Sequence, residues 1–357
     1  MMHVQARIEQ SAAMKVLSPL LAIVLTLLFG GVLFSALGKD PIESMRILLI
    51  APLTDAYNIG EMFVKMGPLL LCAVGLSLCY RANLWNIGAE GQLLMGALGG
   101  SAVALALSSS ESSWALPVTL ISGIISGMLW SSIPTYLKLK FNANLILTTI
   151  MLNYIALYLL LWAVHGPLRD PEGFGFPESA IFSDATTLPL LFEDSRIHLG
   201  VIFAVVAAIA AWLLLSRSHL GFQIRVFGAD EPAARYAGFN GKKISWIVML
   251  IAGGLAGLAG VAEVTGPIGQ LIPGVSPGYG YSAIIVAYLG RLHPLGALLA
   301  ATFMATLYMG GDLAQIEIGL PIAVVGMFQG VLLFFLLACD FFINYRLVFT
   351  RNTMIQE

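Results

Sequence analysis

Charge is scarce in this chain. Of its 357 residues, 18 are Lys or Arg and 20 are Asp or Glu, 11% together, against roughly 25% in soluble globular domains. With 58% hydrophobic residues and a mean hydropathy of +0.88, that shortage excludes a soluble fold and makes the chain an integral membrane protein. The net charge of -2 carries no message about partners, because the placement of charge across loops matters more than its sum; no nucleic-acid partner is expected. Cysteine is scarce too. Cys72, Cys79 and Cys339 are an odd number, lie in or at the ends of apolar runs and lack metal-ligand spacing, so they read as core thiols. The five His are scattered, with no H-E-x-x-H or Cys/His cluster, and no G-x-S-x-G marks a nucleophile. No G-x-x-x-x-G-K-[ST] occurs either: in GFNGKK, Gly238 to Lys243, the glycines stand at the wrong distance for a phosphate-cradling loop. The chain is expected to be no enzyme, to bind no metal or cofactor and to hydrolyse no ATP itself.

What is present is a series of apolar runs. The first, Val16 to Leu37, exceeds a signal-peptide core and reaches the roughly 20 residues needed to span a membrane. Others follow at about Met62 to Tyr80, Leu84 to Leu107, Trp114 to Leu137, Leu145 to Val164, Ile197 to Leu215, Ser245 to Thr265, Tyr281 to Gly290, Pro294 to Gly311 and Leu320 to Cys339. The fold class expected is all-α, a polytopic membrane protein of about ten transmembrane helices, one of them short or broken. Arg7 and Lys15 precede the first run. Alternating the spans from a cytoplasmic start then places Arg81, Lys138 with Lys140, the segment Ser216 to Lys243, and Arg346 with Arg351 inside, as the positive-inside rule asks. Both termini are therefore expected in the cytoplasm, with residues 1–15 a cytoplasmic segment, 16–339 the membrane domain and 340–357 a cytoplasmic tail. The loop from His165 to Arg196, with Asp170, Glu172, Glu178, Asp184, Glu193 and Asp194, reads as an acidic external cap or as a solvated linker. Tyr281 to Gly290 is too short for a full span and either crosses or re-enters; its glycine- and proline-rich flanks are those of a broken helix beside a cavity.

Two stretches carry the functional signal. In NLWNIGAEGQLLMGALGG, Asn83 to Gly100, a helix starting near Leu84 would put Glu90 about 9 Å along its axis, with Asn83, Asn86 and Glu90 on one face at i, i+3 and i+7. A carboxylate at mid-membrane costs about 2.5 to 3.5 kcal/mol on insertion scales, so that face must look at other helices or at a water-filled path. Glu90, with Asn86 and Gln92, either ties helices together or takes part in transport. Asn153, one turn from Thr149, offers the same two readings. Glu263 is placed near the outer end of its span, where hydration is cheap. The second stretch, Ser216 to Lys243, holds five basic residues against Asp230 and Glu231. Asp230 suits an N-cap, Pro232 a first turn and Gly238 the residue past a helix end. A short surface helix is expected from about Glu231 to Ala237, where Ala233, Ala234 and Ala237 would let another chain approach closely.

At these residues the chain resembles the membrane permeases of ABC importers of the branched-chain amino acid and simple-sugar class, and among them the nucleoside importer permeases most. NIGAEGQ, Asn86 to Gln92, matches the family's N-I-G-x-E-G-Q. NANLILTTIMLNYIALYL, Asn142 to Leu159, is similar to its fifth-helix region, and GYGYSAIIVAYLGRLHPLGALL, Gly278 to Leu299, looks like the broken-helix region of its later half. Glu231, Ala233, Ala234 and Gly238 resemble the ATPase-coupling segment E-A-A followed by G, although Pro232 alters the spacing from the acid. The resemblance implies a bacterial cytoplasmic-membrane importer. It implies a separate ATPase subunit that uses ATP and Mg, a second and different permease chain, and an extracytoplasmic substrate-binding lipoprotein. It implies a nucleoside as cargo, with a pentose or hexose as the alternative. From another class, an ion-coupled secondary transporter with Glu90 as its coupling site stays open, as does an assembly factor without transport.

Overall fold

A computed structural model of the chain describes residues 2–6, 12–173, 175–192, 195–321 and 323–349. Arg7, Glu193, Asp194 and Arg351 lie outside the described residues. Each apolar run folds as a helix, since a backbone without water must satisfy its N–H and C=O groups within its own segment. The long helices are α1 (Ala12–Ala36), α3 (Ala56–Arg81), α4 (Ala89–Ala106), α5 (Ala115–Phe141), α6 (Leu145–His165), α7 (Leu199–Arg217), α10 (Gly241–Glu263), α12 (Pro294–Ile318) and α13 (Ala323–Asn344). Shorter ones intervene: α2 (Pro41–Leu49), α8 (His219–Ala229), α9 (Glu231–Tyr236) and α11 (Tyr279–Leu289).

Among the described residues, eight helices are long and apolar enough to cross a membrane: α1, α3, α5, α6, α7, α10 with its continuation to Ile268, α12 and α13. Of the about ten helices expected, one of them short or broken, these eight meet the length and apolarity of a full span. At 18 residues, α4 opens with Glu90 and Gln92 and falls outside that set. The 11 residues of α11 rise only about 16 Å, half of a hydrocarbon core about 30 Å thick.

The chain divides into two compact units, residues 1–51 with 310–357, and residues 52–309. In the first, α1 packs against α13 and α2. Phe34 stacks on Phe328 at 5.5 Å between ring centroids, and Lys39 Nζ donates to the Ile318 carbonyl at 2.6 Å. A two-stranded antiparallel ribbon, β1 (Met2–Ala6) with β2 (Tyr345–Phe349), joins the ends of the chain in a register pairing Met2 with Phe349.

The second unit is built on α10, which packs against α3, α4 and α5. Contact there is backbone to backbone: a Cβ on Gly96 of α4 would stand 2.3 Å from the Gly257 Cα of α10. Glycine is required where helices associate so closely. The unit has a basic end, where Arg81 Nε donates to the Leu292 carbonyl at 2.6 Å and Lys138 and Asn83 line one cleft. The opposite end is covered by the loop 166–198. Its Ser179, Phe182 and Leu188 amides donate to the carbonyls of Leu271, Gly269 and Thr265 at 3.0, 2.9 and 2.8 Å. That loop is therefore seated on the end of α10 through its backbone rather than strung across solvent.

Candidate functional site

The stretch from Asn83 to Gln92 does not begin as a helix. Asn83 turns the chain with φ +56°, a left-handed conformation that asparagine tolerates better than most residues. Residues 84–88 run on without regular structure, and α4 starts only at Ala89. The expected shared face of Asn83, Asn86 and Glu90 is therefore corrected. Asn83 is exposed at the basic end, its Oδ1 accepting from Trp85 Nε1 at 3.0 Å. Glu90 sits in the first turn of α4 rather than two turns along.

The remaining polar residues converge on this stretch. Asn86 Oδ1 accepts from the Gly88 amide at 2.8 Å, its carboxamide faces that of Gln92 at 3.4–3.5 Å, and its carbonyl accepts from the Tyr80 hydroxyl at 2.9 Å. From α6, Thr149 Oγ1 accepts from the Ile87 amide at 3.2 Å. Asn153 Oδ1 accepts from the Gly91 amide and its Nδ2 donates to the Ile87 carbonyl, both at 2.9 Å. An irregular segment buried in a membrane protein needs such partners, and Asn153 supplies them on both sides.

Glu90, 6% exposed, faces a second helix start. Its Oε2 accepts from the Gly280 amide at 2.7 Å. Ser276 Oγ accepts from the Gly278 and Tyr279 amides at 3.1 and 3.0 Å. From this meeting point α4 runs toward the loop end, where Gly100 lies beside Thr119 near the start of α5. α11 runs the other way, to the basic end, where Leu292 meets Arg81. Two helix N-termini, each with about half a positive charge, thus meet at one carboxylate, an arrangement worth up to about 2 kcal/mol per terminus when partly buried. Gly280 makes the approach possible, since a Cβ there would lie 2.2 Å from the Glu90 nitrogen.

At the basic end α9 forms as its caps predict. Asp230 Oδ1 accepts from the Ala233 amide at 3.1 Å, and Gly238 follows the helix with φ +82°. One expectation fails: Ala234 is 1% exposed and packs on its own chain, so no other chain can reach it. The outward side carries Glu231, Pro232, Ala233 and Tyr236, the last 98% exposed. Beside it opens a cavity of about 530 Å³ lined by Lys138, Asn142, Glu231, Arg235 and Lys242 among others.

Sequence reasoning missed Ser276 and also Gly280, whose partner is 190 residues upstream. It also missed a charged group at the loop end. Arg196 Nη1 donates to Glu61 Oε2 at 3.2 Å and its Nη2 to the Pro267 carbonyl at 2.7 Å. Glu263 is buried near Lys65, Arg196 and Glu61 rather than cheaply hydrated. Charged residues inside apolar spans were the available signal.

Eight helices long enough to cross a membrane, an unwound stretch tied to a neighbouring helix by Asn153 and a capped helix at the basic end suit a membrane transport subunit. The family model described as branched-chain amino acid transport system / permease component matches residues 58–337. The chain belongs to this family: it is the permease subunit of an ABC transporter, a multi-pass protein of the cytoplasmic membrane. It is 35% identical to the glucose ABC transporter permease TsgB13 of Haloferax volcanii over 92% of this chain and 89% of that one. It is 32% identical to the guanosine ABC transporter permease NupP of Bacillus subtilis, covering 89% and 92%. With the nucleoside ABC transporter permease NupB of Lactococcus lactis the identity is 30%, covering 93% of each.

Proposed function

We propose that this permease forms one half of the membrane passage of an ATP-driven nucleoside importer. In this reading the basic end faces the cytoplasm and the loop 166–198 faces outward. The outward side of α9 seats in a separate ATPase, which uses ATP with Mg, and a second, different permease chain completes the passage. An external binding lipoprotein delivers the solute. The observation that carries the cargo is the likeness to two permeases named for guanosine and nucleosides, each along about nine-tenths of the chain. The capped, outward-facing α9 supports the coupling, with Glu231, Ala233 and Gly238 as its docking residues and Ala234 anchoring it from beneath. The likeness to a glucose permease at 35% identity favours a second reading, a simple sugar.

The test is uptake by vesicles holding this chain and the partners that co-purify with it. ATP-dependent uptake of labelled guanosine, competed by other nucleosides and not by glucose, is expected. Uptake of glucose alone would replace the cargo. Uptake driven by an ion gradient without ATP would overturn the importer and make Glu90 a coupling site. Labelling a single Cys placed at His293 from the cytoplasmic side checks the orientation.

A further inference from the structure

The exposed faces of the membrane helices differ in chemistry. On α5 the exposed positions Val118, Ile121, Ile125 and Leu129 are aliphatic, as are Ile202, Val206, Ile209 and Leu213 on α7; these suit lipid. The exposed face of α6 carries Leu147, Met151 and Ile155 but also the aromatics Tyr154, Tyr158 and Trp162, with Tyr154 54% exposed. Tyr154 lies nine residues from the start of α6, about 13 Å along the axis, in the middle of a core about 30 Å thick. Tyrosine facing lipid belongs at the membrane interfaces, where its hydroxyl meets water. At mid-depth that hydroxyl needs a polar neighbour or a wet space.

A second observation falls at the same place. α11 begins at mid-depth, and its Tyr281 is 41% exposed. Tyr281 follows Gly280, whose amide meets Glu90, and Tyr154 follows Asn153, which bonds the Gly91 amide next to that same Glu90, so the two tyrosines flank one junction. The chain leading into α11 has no regular structure, and Gly274 and Pro277 in it are exposed. Irregular backbone at membrane depth is tolerated only where it is buried in protein or lines water. Gly274 and Pro277 lie open on this chain, as the wall of a water-filled passage would.

We propose that Tyr154 and Tyr281 line the solute passage at mid-membrane, below the irregular stretch 272–278, and hold the passing solute by stacking on its planar ring and bonding its hydroxyls. Aromatic faces accept any nucleobase, because every base has a π-face. This deepens the nucleoside reading and rests on it for the identity of the solute, though the passage itself does not.

The experiment uses the complete transporter in vesicles, with Cys72, Cys79 and Cys339 replaced and a single cysteine at Tyr154→Cys, Tyr281→Cys, Leu129→Cys or Ile209→Cys. A charged, water-soluble thiol reagent is expected to modify positions 154 and 281 at least about tenfold faster than the two controls, the ratio set by exclusion of charge from lipid. Saturating guanosine is expected to slow it. Modification of 154 and 281 only by a lipid-soluble maleimide places them against lipid, and modification by neither reagent places them against another chain; either result overturns the proposal. Protection by glucose and not guanosine keeps the passage and overturns the nucleoside. Uptake kinetics give an independent readout. Tyr281→Phe keeps the ring and should hold KM within about threefold, whereas Tyr281→Ala should raise it about tenfold or more, the order of a lost stacking contact. Unchanged KM in Tyr281→Ala overturns the contact with solute.

Discussion

Replacing Gly280 with alanine tests the junction between α4 and α11. The added Cβ would stand 2.2 Å from the Glu90 nitrogen and 2.5 Å from its Cα, where ordinary contact begins at 3.4 Å. The obstructing atoms are backbone, so no side chain can turn aside, and α11 must retreat by about 1 Å or more to relieve the overlap. That retreat carries the Gly280 amide, now 2.7 Å from Glu90 Oε2, beyond hydrogen-bond range. Overpacking costs about 1–3 kcal/mol and a lost hydrogen bond to a charged group about 1.5–3 kcal/mol. The two share one movement and do not add fully, so about 3 kcal/mol is expected. For a unit of this size that corresponds to about 6–12 °C in apparent melting temperature. The assay is the fraction of detergent-purified transporter that still elutes as a single species after heating across a temperature series. Gly274→Ala is the control, because a Cβ there meets no atom within 4 Å. If Gly280→Ala melted together with Gly274→Ala, α11 would not be seated on the start of α4, and the reasoning would fail.

Four further substitutions test the neighbouring contacts and α9. Asn153→Leu strips partners from the Gly91 amide and the Ile87 carbonyl and should destabilise the chain by about 2–4 kcal/mol, read in the same heating assay; a neutral result would mean water replaces the carboxamide. Tyr236→Ala, fully on the surface, should leave permease stability within about 0.5 kcal/mol while lowering recovery of the ATPase chain, whereas Ala234→Glu should destabilise the permease itself by burying an unpaired charge. Glu90→Gln should leave the pH profile of uptake superimposable on that of the parent, because the group holds helix starts; a displaced profile would point to proton coupling.

Local signals in the sequence translated well where the structure is local. Each apolar run became a helix, because length and hydropathy are enough to dictate one in lipid. The caps of α9 were readable from Asp230 and Gly238, since both act within four residues of their partners. The start of α4 was misread: apolar residues at Leu84, Trp85 and Ile87 suggested a helix, but Asn83 turns the chain and the side chains of Thr149 and Asn153 stabilise an unwound stretch. Those partners lie 62–66 residues away, and no periodicity reports them. Ala234 was assigned to a docking face by composition, while the phase of a six-residue helix is set by what lies beneath it. Glu90 stood out as a carboxylate in an apolar run, but the helix start that answers it lies 190 residues further on.

The head-to-head junction of α4 and α11 also constrains how the protein is made. A segment that bonds its own backbone can enter the membrane alone, but α11 spans only half the thickness and depends for its first amides on Ser276 and on a carboxylate made 190 residues earlier. It is therefore not an independent unit of insertion. It must be held in a protein-lined or wet environment until α4 is in position, so the later half of the permease is completed by assembly against the earlier half, and a truncated or mispaired chain would display an unsatisfied helix start inside the bilayer.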